Sequence, residues 1–356
     1  MQLATAPDPI ALLETMLRIP SYSGQEGELA RYLAQAMQAL GLRSHIDEAG
    51  NAVGERGEGP VQVVLLGHMD TVPGAIPVRR EDDLLYGRGA VDAKGPLAAF
   101  IMAAAAVEVP ERCRLTVIGA TEEEAATSKG ARFALLSHSP AAVVIGEPSG
   151  WEHVTVGYKG RLLIGYRLER EARHSARDDA SVIEEAIGFW GWLKGLAEAY
   201  NSGRERRFDC LDCAIREMVS GSDGLHEHVR MELALRLPPG FQVESFQQAA
   251  RQMAGAAQVE FSGLEQAYRA DKGNAVARAL VRGIRLAGGE PRFSVKTGTS
   301  DMNVVGPAWG CPIAAYGPGD AELDHTPHEH ISLTEYRRAI EVLRRALQLL
   351  LAELAA

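Results

Sequence analysis

No apolar run in this sequence approaches the roughly 20 residues that a bilayer-spanning helix needs, which argues against a membrane-embedded function. The first residues, Met1 to Pro9, are polar and lack the apolar segment of a secretory signal. Cysteine is scarce: Cys113, Cys210, Cys213 and Cys311 lie scattered over 356 residues. That excludes a disulfide framework and makes a reducing cytoplasm the natural setting. There is no excess of positive charge either. Lys and Arg number 37 against 47 Asp and Glu, a formal net charge of -10, so general nucleic-acid binding is not expected. The basic residues are almost all arginine and form no polybasic tract, and we find no internal repeat or low-complexity segment.

Hydrophobic residues make up 46% of the chain, ample for a real core. The length exceeds the roughly 100–200 residues of a typical domain, so two domains, or one carrying an insertion, are expected. Helix-period apolar positions run over 8–18 and 25–40, and Ser23 with Glu26 reads as an S-x-x-E capping box for the second helix. Val61–Leu66, Leu115–Ala120 and Ala142–Gly146 read as buried strands, and Gly95–Val107 as an Ala-rich helix. Strands alternating with helices predict an α/β fold with helices on both faces of the sheet. From Val154 the texture changes to strand, helix (Ala180–Tyr200), strand (Val229–Leu237), helix (Val243–Ala254) and strand (Val259–Phe261). This β-α-β-α-β stretch predicts a small α+β, ferredoxin-like domain over 157–263, inserted into a larger domain made of 1–156 and 264–356. Helices then return at Asn274–Ala287 and Leu333–Leu354.

Five polar clusters follow predicted strands or Gly-rich turns: Gly67-His68-Met69-Asp70, Gly87 to Gly95 around Asp92, Glu122-Glu123-Glu124, Gly146-Glu147-Pro148, and Asp324-His325-Thr326-Pro327-His328-Glu329. Open α/β sheets place their sites at the carboxyl ends of strands. Imidazole and carboxylate groups together suit zinc or a similar divalent ion. Each cluster alone has a plain structural reading, such as a hydrogen-bonded histidine, a helix-start glutamate run or a helix cap at Asp92. Five in one chain favour a metal centre. Other signals are set aside. Cys210-x-x-Cys213 is followed by His226 and His228, which stand too close together for a finger-type zinc site. Lys296-Thr297-Gly298 lacks an accompanying S-x-x-K. The Gly87–Gly95 loop lacks the ending of a phosphate loop.

On these strings, with YGRGAVDAKGPL, EEEAATSKGA, VIGEPSG, VGYKGR and LDHTPHEHISLTEY, the chain resembles the M20 family of metallopeptidases and deacylases over nearly its whole length. Within that family it is most similar to the hydrolases that release lysine from an amino-group carrier protein. The resemblance implies two divalent metal ions, zinc or cobalt, roughly 3.5–4 Å apart. It implies that His68 binds one ion, Asp92 bridges both, Glu147 completes the first site and His325 the second. Asp70 would orient His68. The glutamate triplet has two frames: Glu123 as general base with Glu124 as ligand, taken first here, or Glu122 as base with Glu123 as ligand. His174 would stabilise the oxyanion, often across a dimer interface, and Arg236 would clamp an α-carboxylate, with Lys296–Asp301 lining the pocket. The peptide bond Asp92–Ala93 would be cis.

The implied function is a cytoplasmic amidohydrolase of lysine and arginine biosynthesis, a homodimer through the inserted domain. It would free lysine, or also ornithine, from a small acidic carrier protein. The alternatives are an N-acetyl-amino-acid deacetylase or dipeptidase of the same family, and, from another class, a metal-free binding protein on the same fold. Arg167, Arg170, Arg173, Arg177, Arg204, Arg206 and Arg207 could attract an acidic carrier, or could simply pair with glutamates such as Glu169, Glu171 and Glu205.

Overall fold

A computed structural model describes residues 8–172 and 180–356. These residues form two compact units, one of 8–157, 269–295 and 300–356, the other of 158–172, 180–268 and 296–299. No helix among the described residues is long and apolar enough to cross a membrane.

The first unit is built on a mixed sheet. Its strands run in the order Arg43–Ile46, Ala52–Gly57, Cys113–Ala120, Val61–His68, Ala142–Gly146, Ile313–Ala315 and His153–Tyr158. The central four are parallel to one another, and the flanking pairs are antiparallel. The central strands are buried almost without interruption, as expected where both faces are covered. On one face Val63, Leu65, Leu115, Val117, Ala142 and Val144 join a core with the helices Pro9–Arg18, Lys94–Ala105, Ala275–Leu286 and Leu333–Ala355. On the other face Gln62 meets Thr116 and His138, which ends the helix Lys129–Ser137. The α/β class with helices on both faces is therefore as the sequence implied.

Local chemistry sets the ends of these elements. Asp8 accepts the N–H groups of Ile10 and Ala11, with Pro9 at the first helical position. Ser332 accepts Glu335 N at the start of Leu333–Ala355. Gly146 closes its strand where any side chain would collide: a Cβ there would lie 2.8 Å from the Phe100 ring and 3.1 Å from Gly67 Cα. The expected capping box at Ser23 and Glu26 is not formed. The helix Gly27–Ala39 starts without a side-chain cap, because both side chains are engaged elsewhere.

The second unit is a four-stranded antiparallel sheet in the order Asp212–Ser222, His226–Leu237, Gly160–Glu171, Gln258–Glu265. The helices Val182–Asn201 and Val243–Met253 share its core with Leu162, Ile164, Tyr166, Met231, Leu233 and Leu235. The strand Asp212–Ser222 has no counterpart in the β-α-β-α-β reading. It is an edge strand, half-buried only at its first two residues and exposed thereafter, so it lacks the alternation that reveals a strand.

Candidate metal centre

Three parallel neighbours bring three of the five clusters to one edge of the sheet. His68 ends Val61–His68 and is paired in register with Ala120, after which the glutamate triplet begins. Gly67 is paired with Gly146, directly before Glu147. The loop after Ala120 is closed at its neck. Gly130 N donates to Thr121 O at 3.0 Å. The buried Asn51 accepts Thr121 N and donates to Gly130 O.

Two groups of ligand atoms converge there: His68, Asp92 and Glu147, and Asp92, Glu124 and His325, each within 4.8 Å of one another. Asp92 belongs to both. Its Oδ1 lies 3.1 Å from His68 Nε2 and its Oδ2 lies 3.0 Å from His325 Nε2, which also meets Glu124 Oε1 at 2.8 Å. The Asp92–Ala93 peptide bond is cis. Asp92 does not cap the following helix, whose N-cap position is Ala93.

Asp70 is fully buried and organises the surroundings. Its main-chain oxygen lies 3.0 Å from His68 Nδ1 and its Oδ1 3.4 Å from the same nitrogen; Oδ1 also accepts Glu123 N, and Oδ2 accepts Glu124 N and Ser23 Oγ. This leaves His68 Nε2 directed at Asp92. Glu122 takes a left-handed backbone, φ 56°. Its N–H goes to Glu26 and its carboxylate to Thr127 Oγ1, with Lys129 3.8 Å away. The structure thus groups Glu124, and neither Glu122 nor Glu123, with His325 and Asp92.

The electrostatics follow from crowding. Burial, reinforced by the nearby carboxylates Glu147, Asp301 and Glu124, lifts Glu123 well above the usual carboxylate range. Burial, with Asp92, Asp301 and Asp324, does the same to Glu147. Burial also raises Glu124, against the pull of His325. Burial opposes charge on His68, yet Asp70, Asp92 and Glu123 outweigh it and raise its pKa well above the imidazole value. Hydrogen bonds to Asp92 and Glu124 push His325 up to about 10. Three carboxylates, Asp92, Glu124 and Glu147, and two imidazoles form a donor set whose crowded charge a pair of divalent cations would relieve.

Arg236 is in the second unit, where its Nη1 donates to Thr299 Oγ1 at 2.9 Å. His174, with Arg173 and Arg177, lies outside the described residues. Among the described residues neither ligand group includes Cys210, Cys213, His226 or His228. Arg170 pairs with Glu185 and Glu227, and the Arg204 guanidinium lies 4.0 Å from the Tyr200 ring centre. The sequence reading gave Ser23 and Glu26 only a helix-capping role and gave none to Arg88 or Glu329, although Glu329 stands inside the Asp324–Glu329 string.

Residues 64–349 match the model of peptidase family M20/M25/M40, and the chain belongs to that family; it is a hydrolase. The chain is 48% identical over 345 residues to the [LysW]-lysine hydrolase of Deinococcus radiodurans, covering 94% of this chain and 95% of that protein. It is 38% identical over 340 residues to a putative [LysW]-lysine/[LysW]-ornithine hydrolase of Thermococcus kodakarensis, covering 95% and 91%. The fold is similar to that of the M20 family metallo-carboxypeptidase Sso-CP2 from Sulfolobus solfataricus, with a TM-score of 0.76 at 18% identity, covering 97% of this chain and all of that one.

Proposed function

We propose that this hydrolase releases lysine from a small acidic carrier protein that holds it through its α-amino group, with the corresponding ornithine conjugate as a second substrate. The observation that carries the reading is the pair of ligand groups sharing Asp92, with Glu123 beside them. The names of the two relatives at 48% and 38% identity supply the substrate class.

His68, Asp92 and Glu147 would hold one divalent cation, and Asp92, Glu124 and His325 the other, zinc being the first choice and cobalt an alternative. Bound there, such ions would polarise the amide carbonyl and acidify water. Glu123 takes the proton from the attacking water and returns it to the departing amine, so the amide and water become the carrier's carboxylate and free lysine. Asp70 fixes His68 through Nδ1 and fixes the glutamate loop through two backbone N–H groups. His174 is assigned to the oxyanion and Arg236 to the α-carboxylate of lysine. The inserted domain is assigned the lid and the dimer contact. Its edge strand leaves Ile215, Met218 and Val219 at the surface, which supports association through that domain, and sedimentation analysis tests it. The reaction belongs in the cytoplasm, where amino-acid biosynthesis runs.

The test is hydrolysis of purified carrier–lysine conjugate by zinc-loaded protein, followed by mass spectrometry. A shift of the conjugate by the mass of one lysine residue, with free lysine appearing, is expected. Cleavage of N-acetyl-lysine with an intact conjugate would instead make the protein a small-substrate deacetylase.

A further inference from the structure

Glu329 has no solvent exposure, yet it belongs to neither ligand group. One carboxylate oxygen accepts two backbone N–H groups, from Val91 at 2.9 Å and from Asp92 at 3.1 Å. The other accepts Arg88 Nη1 at 2.8 Å. A pair of short strands makes this placement. His330–Ser332 runs antiparallel to Leu84–Tyr86, with His330 opposite Tyr86, and Gly87 N donates to Glu329 O. The residue before one strand is thereby held against the loop that leaves the other.

A buried ion pair is weak evidence of a stabilising role, since apolar replacements of similar volume are often as stable. The two N–H groups would also be satisfied by a neutral acceptor. What the carboxylate does here is join two segments that both carry ligands. Asp92 donates its backbone N–H to Glu329, and His325 lies four residues before Glu329 on the same segment. Asp92 Oδ2 and His325 Nε2 meet at 3.0 Å. Glu329 therefore stands behind two members of the group Asp92, Glu124 and His325, but behind only one member of the group His68, Asp92 and Glu147.

We propose that Glu329 is a positioning residue of the metal centre. Oriented by Arg88, it clamps the Val91–Asp92 backbone to the His325 segment, so that Asp92 presents one oxygen to each cation, and the Glu124–His325 site depends on this clamp more than the His68–Glu147 site does. The proposal rests on the metal-dependent reading above. Groups that orient ligands typically contribute about 10–100-fold to metal affinity.

Zinc titration of the metal-free protein by calorimetry, with stoichiometry from elemental analysis, tests this. The unaltered protein should bind two zinc ions per chain. Glu329→Gln should raise the Kd of one of them about 10–100-fold while the other changes only slightly, and the metal-free Tm should stay close to that of the parent. Arg88→Met keeps the carboxylate and its two N–H bonds, and it should give the same one-sided loss at smaller size even if Glu329→Gln fails to fold. Glu322→Gln, exposed on the same segment, should leave both constants unchanged. A lowered metal-free Tm with both zinc constants intact overturns the proposal, and so does equal weakening of both sites. No zinc binding by the unaltered protein overturns the metal-dependent reading and the clamp with it, whereas two-site binding indifferent to both variants overturns the clamp alone.

Discussion

At the scale of single residues, the glutamate triplet divides its labour by direction. Glu124 faces His325 at 2.8 Å, Glu122 turns away to Thr127, and Glu123 is half-buried, its desolvation and the neighbouring carboxylates together raising its pKa. A group with a raised pKa suits proton transfer near neutrality. Glu123→Gln should retain zinc and lower kcat by about 10²–10⁴-fold, measured with N-acetyl-lysine beside elemental analysis. Glu122→Gln should stay within a few-fold of the parent in kcat. Full inactivation by Glu122→Gln, with zinc lost from Glu123→Gln, would move the frame by one residue. Asp70→Asn replaces an oxygen that accepts a glutamate-loop N–H by an amide NH₂, so it should lower zinc affinity or activity by about 10–100-fold, again read by titration.

His68, Asp92, Glu147 and His325 were legible in the sequence because each sits in a short string tied to a strand end or a Gly-rich turn. The supporting residues were not, because their partners are remote. Ser23 reaches Asp70 across 47 positions, Glu26 reaches Glu122 across 96, and Glu329 reaches Asp92 across 237. Ser23 and Glu26 also have the spacing of a capping box, a local motif that the glutamate loop overrides.

At the scale of elements, parallel pairing does the placing. Because Cys113–Ala120, Val61–His68 and Ala142–Gly146 run side by side in the same direction, three ligand-bearing loops must emerge at one edge. Continuous apolar runs made these strands readable. Short or exposed strands such as Leu84–Tyr86 and Asp212–Ser222 carry too little pattern, and their pairing comes from tertiary partners. The long final helix is fastened by the turn before Leu84–Tyr86: Asp83 accepts Ser332 Oγ, Thr334 N and Thr334 Oγ1. Those bonds hold the Asp83 carboxyl below its ordinary value. A depressed folded pKa adds stability that is complete above the unfolded value of about 3.9 and is lost as pH falls through the folded value. Thermal unfolding of Asp83→Ala should therefore differ from the parent at pH 7 and approach it below about pH 4. A gap that is constant across that range would contradict the assignment.

At the scale of the whole molecule, the net charge of -10 would oppose the approach of the acidic carrier proposed as substrate, so local basic residues would have to guide it. Arg170 is already engaged by Glu185 and Glu227, which leaves the exposed Arg204, Arg206 and Arg207 as the better test. Reversing these three to Glu should raise KM for the carrier conjugate and weaken its salt dependence, while N-acetyl-lysine turnover stays near that of the parent. Equal losses on both substrates would remove the docking role.

The centre built on Asp92 is proposed to hydrolyse the amide joining lysine to its carrier. The most direct measurement follows free lysine released from purified carrier–lysine conjugate by protein stripped with a chelator and then reloaded with zinc. Release that disappears on stripping, returns with zinc and stays absent in zinc-loaded Glu123→Gln is the predicted result. Release that is unaffected by stripping, or a conjugate left intact by the zinc-loaded protein, would contradict it.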